Sequence, residues 1–75
     1  MATLDQLRPG ERAEVTAVTG DPALVQRLGE LGLFEGEEVE FVSVAPLGDP
    51  VEIRLGGARL SLRKAEAAGV SVRPR

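Results

Sequence analysis

The stretch from Val51 to Leu62 constrains the fold more than any other. Val51, Ile53 and Leu55 alternate with Glu52 and Arg54, and after Gly56-Gly57 the residues Leu60 and Leu62 alternate with Arg59, Ser61 and Arg63. Alternation with period two marks a strand with one buried face. Because both glycines accept positive φ, they suit a two-residue loop, and the stretch reads as a β-hairpin. Its apolar side must be covered by the rest of a 75-residue chain, which reads as a single domain over 1–75, near the lower size limit for folding unaided. The chain has no Cys and no His. Disulfides and thiolate or imidazole metal sites are therefore excluded, and the core must do all the stabilising.

The remaining elements follow from the same kind of pattern. Leu4 and Leu7, three apart before the turn dipeptide Pro9-Gly10, are expected to plug one end of the core. From Arg12 to Thr19, Ala13, Val15 and Ala17 alternate with Glu14 and Thr16, which predicts a strand. Gly20-Asp21-Pro22 supplies a turn, an N-cap side chain and a proline at the first helical position. A helix over 22–31 is predicted, with Leu24, Leu28 and Leu31 on one face at i, i+4 and i+7 and Gly32 just past its end. In Glu37 to Pro46, Val39 and Phe41 lie on one strand face and Val42 and Val44 on the other, so the strand is expected to bend or bulge midway. Pro46-Leu47-Gly48-Asp49-Pro50 is dense turn chemistry, with Asp49 read as closing the turn through its own side chain. After the hairpin, Lys64 to Ala68 has room for a short helical turn capped by Gly69, and Val70-Ser71-Val72 for a last strand. Five short strands and one helix are too few for a sandwich and predict a mainly β fold, a small five-stranded barrel with one inserted short helix.

Composition narrows the function. An apolar fraction of 43% with 28% charged residues is that of a globular domain. The amino terminus carries no basic region followed by an apolar run, and no stretch approaches the roughly 18 apolar residues of a membrane span, so the chain reads as cytoplasmic, without insertion into a membrane. No acid and base pair, nucleophile with a base, or phosphate loop can be drawn, and Gly29, Gly32 and Gly36 lack the Gly-Lys-Ser/Thr ending of a P-loop. Neither a catalytic residue nor a cofactor is expected. A net charge of −3, two Phe and no Tyr or Trp argue against nucleic acid, because the arginines 54, 59 and 63 with Lys64 are what any solvated strand face carries. Glu35, Glu37, Glu38 and Glu40 invite a ferrous or manganous site, but without His or a second carboxylate cluster nothing closes an inner shell, and no metal site is expected.

Four blocks, in order, resemble the FeoA family of bacterial ferrous iron transport proteins. They are Leu4-Asp5-Gln6-Leu7-Arg8-Pro9-Gly10-Glu11, then Gln26-Arg27-Leu28-Gly29-Glu30-Leu31-Gly32-Leu33 with Glu35-Gly36-Glu37-Glu38-Val39, then Ala45-Pro46-Leu47-Gly48-Asp49-Pro50-Val51-Glu52, and finally Leu60-Ser61-Leu62-Arg63-Lys64-Ala65-Glu66-Ala67. Together they span nearly the whole chain. The resemblance implies an SH3-like barrel without catalysis, a cytosolic accessory of the membrane transporter FeoB, peripheral at the inner membrane through that partner. The same fold family supplies the carboxy-terminal domain of some iron- and manganese-dependent repressors, so a stand-alone domain of a regulator system and a small metal-sensing module stay open as alternatives. Oligomeric state is left open.

Partner binding needs an exposed patch with apolar content and few charges. Two regions qualify: the helix and its exit, with Val25, Leu33 and Phe34 off the main apolar stripe and Arg27 and Glu30 beside them, and the turn with Leu47, Gly48 and Asp49. Taken singly, Phe34 and Leu47 read as plugs closing the two ends of a small barrel. Taken together they make the best available partner surface.

Overall fold

A computed structural model describes residues 2–75. The expected alternation builds its sheet. β2 (Arg12–Val18) pairs with β3 (Glu38–Val44), β3 with β4 (Val51–Leu55), and β4 with β5 (Ala58–Leu62), each antiparallel. β6 (Val70–Pro74) lies on the other side of β2. One strand was not expected: β1 (Ala2–Thr3), two residues long, pairs with Val72 and Ser71 of β6. The order is thus β1-β6-β2-β3-β4-β5, six strands in place of five. β1 and β5 are edges, so the sheet wraps like a barrel around its core without closing. α1 (Pro22–Glu30) is the inserted helix, and α2 (Lys64–Ala67) is a single turn.

Two bulges bend the sheet. The expected one falls in β3, where the register against β4 shifts between Phe41 and Ser43, leaving Val42 as the extra residue. The second was not foreseen. Against β6 the register of β2 shifts between Val15 and Ala17, so the pleat changes face at Thr16. Ala13 and Val15 are buried as expected, but Ala17 is only half-buried and Val18 packs against the core in its place.

The helix starts as its sequence dictates. Asp21 Oδ1 accepts a hydrogen bond from the Ala23 amide at 3.2 Å, with Pro22 at the first position. Its apolar stripe ends earlier than expected. Leu28 is buried and Leu24 packs partly on the core, whereas Leu31 is 51% exposed. Leu31 is the C-cap, and the chain reverses at Gly32, whose φ is 99°. The Gly32 amide donates to the Gly29 carbonyl at 3.0 Å and the Leu33 amide to the Leu28 carbonyl at 2.9 Å. This is the Schellman closure, in which the residue after the glycine folds back onto the last turn. Leu33, expected on the partner surface, is accordingly 1% exposed and belongs to the core.

The hairpin loop is Gly56-Gly57, with Leu55 opposite Ala58, but only Gly56 takes a positive φ, at 61°. Leu4 and Leu7 plug the core as expected. Asp49 does not close its own turn through its side chain as expected: its Oδ1 instead accepts the Lys64 amide at 2.9 Å and so caps the first turn of α2. Gly69 is not a left-handed cap either. The C-cap of α2 is Ala68, and Gly69 instead lets the chain approach the end of β2, where a Cβ would stand 2.6 Å from the Thr19 carbonyl oxygen.

Candidate docking surfaces

The exit of α1 is concave. Gly29 has no side chain to fill the space beside Val25, and Leu33 forms a floor there. Ala17 and Val18, turned by the bulge in β2, supply one wall, and Phe34 and Glu35 the other. The groove has a volume of about 400 Å³. Phe34 is 48% exposed at its lip, so it does not plug the barrel. Val25 is half-buried. Arg27 and Glu30 do not join this surface: Arg27 Nη2 reaches Glu66 Oε2 at 2.8 Å, tying α1 to α2, while Glu30 Oε2 accepts a long contact from Gln26 Nε2 at 3.5 Å.

The second surface is the turn between β3 and β4. Leu47 is 97% exposed and plugs nothing. The turn that carries it is held on three sides: the Gly48 amide donates to the Ala45 carbonyl at 2.7 Å, the Ala45 amide to the Pro50 carbonyl at 3.0 Å, and Asp49 takes the Lys64 amide. Beside it, Gly48, Leu7, Phe41, Val44 and Val51 surround a shallow groove of about 280 Å³ with Arg8 and Lys64 at its margin.

These surfaces do not combine. Arg12 at the start of β2 faces Glu40, so β3 and the turn after it run past that end of β2, and the Gly10 amide bonds the Phe41 carbonyl there. Phe34 lies by the opposite end, where the Gly36 amide donates to the Val15 carbonyl at 2.8 Å. Phe34 and Leu47 are therefore at the two ends of the strands rather than on one patch. What sequence reading missed is the wall of Ala17 and Val18, because nothing in the alternation marks the bulge at Thr16.

The charged residues are mostly occupied by one another. Glu38 Oε2 meets Arg75 Nε at 3.3 Å, Glu40 meets Arg54 at 3.6 Å, and Glu52 meets Arg59 at 3.4 Å. Glu14 takes both Arg73 at 3.2 Å and Arg75 at 3.8 Å. Among the described residues no three Asp, Glu, His or Cys side chains come together as a metal-holding group.

A small bent antiparallel sheet with one inserted helix defines an SH3-like domain. Its family can be stated. A model of the FeoA domain matches residues 2–74, and the chain belongs to the FeoA family. It is 35% identical over 69 residues to the Fe(2+) transport protein A/Fe(2+) transporter FeoB fusion protein of Porphyromonas gingivalis, a match that takes in 92% of this chain and 8% of that protein. In solved structures it is similar to the FeoA protein of Chlorobium tepidum, with 43% identity and a TM-score of 0.92 over 96% of this chain and 69% of that one. It is also similar to FeoA of Stenotrophomonas maltophilia complexed with zinc, described as a prokaryotic SH3 domain protein, with 37% identity and a TM-score of 0.83 over 96% of this chain and 89% of that one.

Proposed function

We propose that this protein is a non-catalytic accessory of ferrous iron uptake that docks on the cytosolic part of a FeoB-type transporter through the groove at the exit of α1. The observation that carries the reading is Phe34, a large aromatic side chain left half-exposed at the lip of an apolar groove. Interfaces concentrate their binding free energy in such anchors, where the partner can exclude water. Support also comes from the fused relative, which holds an FeoA part and a transporter on one chain. Fusion keeps two partners at high effective concentration, and is most useful where they act together. No helix among the described residues is long and apolar enough to cross a membrane, in keeping with an accessory that works at the transporter's cytosolic side.

The resemblance to the FeoA family implies a transporter whose amino-terminal part is a GTP-binding domain, so the test is capture of its purified cytosolic part in the nucleotide-free, GDP-bound and GTP-bound states. The parent should bind in at least one state, and Phe34→Ser should weaken binding at least about tenfold, the scale of one anchor residue. Leu47→Ser probes the other end of the molecule. Loss of capture by Leu47→Ser alone would move the docking surface to the turn, and no capture by the parent in any state would defeat the accessory reading.

A further inference from the structure

Of the two edges of the sheet, one is protected and the other is not. β1 is two residues long, too short to template a further strand, whereas β5 runs for five residues, Ala58–Leu62, with no proline, bulge or inward-pointing charge. The hairpin fixes which backbone groups of β5 are free. Across a two-residue loop the flanking pair, Leu55 and Ala58, exchanges hydrogen bonds, and bonded and non-bonded pairs then alternate along an antiparallel ladder. Leu60 and Leu62 therefore also turn their N–H and C=O groups toward β4, while those of Arg59 and Ser61 point away from it. Among the described residues nothing takes them: no strand lies beyond β5, and neither residue joins the backbone bonds of the turns, loops and caps. The edge stops at Arg63, whose amide is bound by Glu66 Oε1 at 3.0 Å and whose carbonyl accepts from the Glu66 and Ala67 amides as α2 begins. Two donors and two acceptors are thus left, placed symmetrically about Leu60.

We propose that β5 pairs antiparallel with β5 of a second copy of this chain, about a two-fold axis at Leu60. Only residues whose groups point outward can bond across such an axis, which leaves three registers. Placing Arg59 opposite the partner's Arg59 sets like charges face to face, which destabilises a cross-strand pair. Placing Ser61 opposite the partner's Ser61 sets Arg59 against the partner's Arg63, again a like charge, and the amide of that arginine is already taken. The third register, with Arg59 opposite the partner's Ser61 and Ser61 opposite the partner's Arg59, uses every free group on both copies and closes four hydrogen bonds. The charges agree with it. Arg59 meets Glu52 at 3.4 Å and Arg54 meets Glu40 at 3.6 Å, so the cations of β4 and β5 are paired within each copy. Glu52 stands opposite Ser61 in the hairpin, so across the axis each Arg59 also finds the partner's Glu52 one strand beyond the partner's Ser61. Arg63 falls opposite the partner's Gly57, where the missing Cβ leaves open space. On the core side Leu60, half-buried in the single chain, meets the partner's Leu60 in the closely spaced non-bonded pair. A contact of one surface with itself closes at two copies, giving a dimer rather than a fibre. This pairing does not depend on the transporter reading.

Sedimentation equilibrium of the full chain from about 0.01 to 1 mM tests it, since a contact of one strand with another is small and is expected to dissociate with a Kd of about 0.1 mM. The weight-average mass should rise across that range from one copy toward two, and the amide signals of Arg59 and Ser61 should move with concentration. Ser61→Pro removes an outward N–H that β4 does not use, at a position where an edge strand accepts proline, and takes two of the four hydrogen bonds from the dimer. It should stay at the mass of one copy throughout. Ser61→Arg keeps the strand and stands opposite Glu52 within the hairpin, but brings like charges together twice across the axis. It should raise the Kd about fivefold, and it decides the outcome if the proline variant does not fold. A parent that stays at the mass of one copy up to about 1 mM would overturn the proposal. So would self-association that Ser61→Arg leaves unchanged, which would place the contact elsewhere. A monomeric parent whose capture of the transporter's cytosolic part is lost in Ser61→Pro would also overturn it, and would make β5 the edge for a strand of that partner.

Discussion

Gly69 is fixed by a residue 50 positions away. The Thr19 amide donates to its carbonyl at 2.8 Å and the Thr19 hydroxyl at 3.0 Å, and a Cβ on Gly69 would press on the Thr19 carbonyl at 2.6 Å. That atom is backbone and cannot swing aside. Gly69→Ala is expected to cost about 1 to 3 kcal/mol by urea unfolding, the range for overpacking. Gly57 is the opposite case. It has no positive φ and open space around its missing Cβ. Gly57→Ala is expected to be neutral or to stabilise by up to about 1 kcal/mol, through lost freedom in the unfolded chain. If the two variants melted alike, the roles given to these glycines would be wrong. From the sequence both looked like ordinary turn punctuation, because the contact that distinguishes them is created only when β2 and β6 come together.

At the scale of elements, the exit of α1 shows how a correct local signal can be carried one residue too far. The i, i+4, i+7 spacing placed Leu31 with Leu24 and Leu28, and Gly32 was read as the stop. The spacing holds only while the helix lasts, and the helix ends at Glu30. A glycine in the closing position sends the following apolar residue back against the last turn, so the third inward place goes to Leu33. The signal was present in Gly32-Leu33 itself. Leu33→Ala is expected to cost about 2 to 5 kcal/mol, and Leu31→Ala no more than about 0.5 kcal/mol, both readable by thermal or urea unfolding; equal costs would return Leu31 to the core. The hairpin at Gly56-Gly57, the bend at Val42 and the cap at Asp21 were legible because each is decided by neighbours in sequence. The bulge at Thr16 was not, since it is decided by the register of β6 against β2. The candidate site inherits this limit: Val25 and Phe34 could be named, while the wall built by Ala17 and Val18 could not.

For the molecule as a whole, the decisive fact is where the last strand goes. Val70-Ser71-Val72 was foreseen as a strand, but a short apolar pattern carries no information on which neighbours it will have. In the sheet it lies between β1 and β2, with Val70 and Val72 buried, so the end of the chain pairs with its beginning. Removing it would leave β1 without a partner and expose one side of β2, including the buried Ala13 and Val15, in addition to losing two fully buried valines worth about 1.5 to 3 kcal/mol each. A domain of this size has a total stability of about 4 to 11 kcal/mol. The loss is therefore comparable with everything that holds the fold together. A chain ending at Gly69 is expected to lack a folded state, with a collapsed proton chemical-shift range and no cooperative thermal transition. Pairing between first and last strands also makes the topology non-local, so the whole chain should unfold in one transition rather than fray from its carboxy terminus. If the shortened chain kept the dispersed amide signals of β3, β4 and β5, those strands would be an independent unit, and β6 would be a late addition to the fold rather than its keystone.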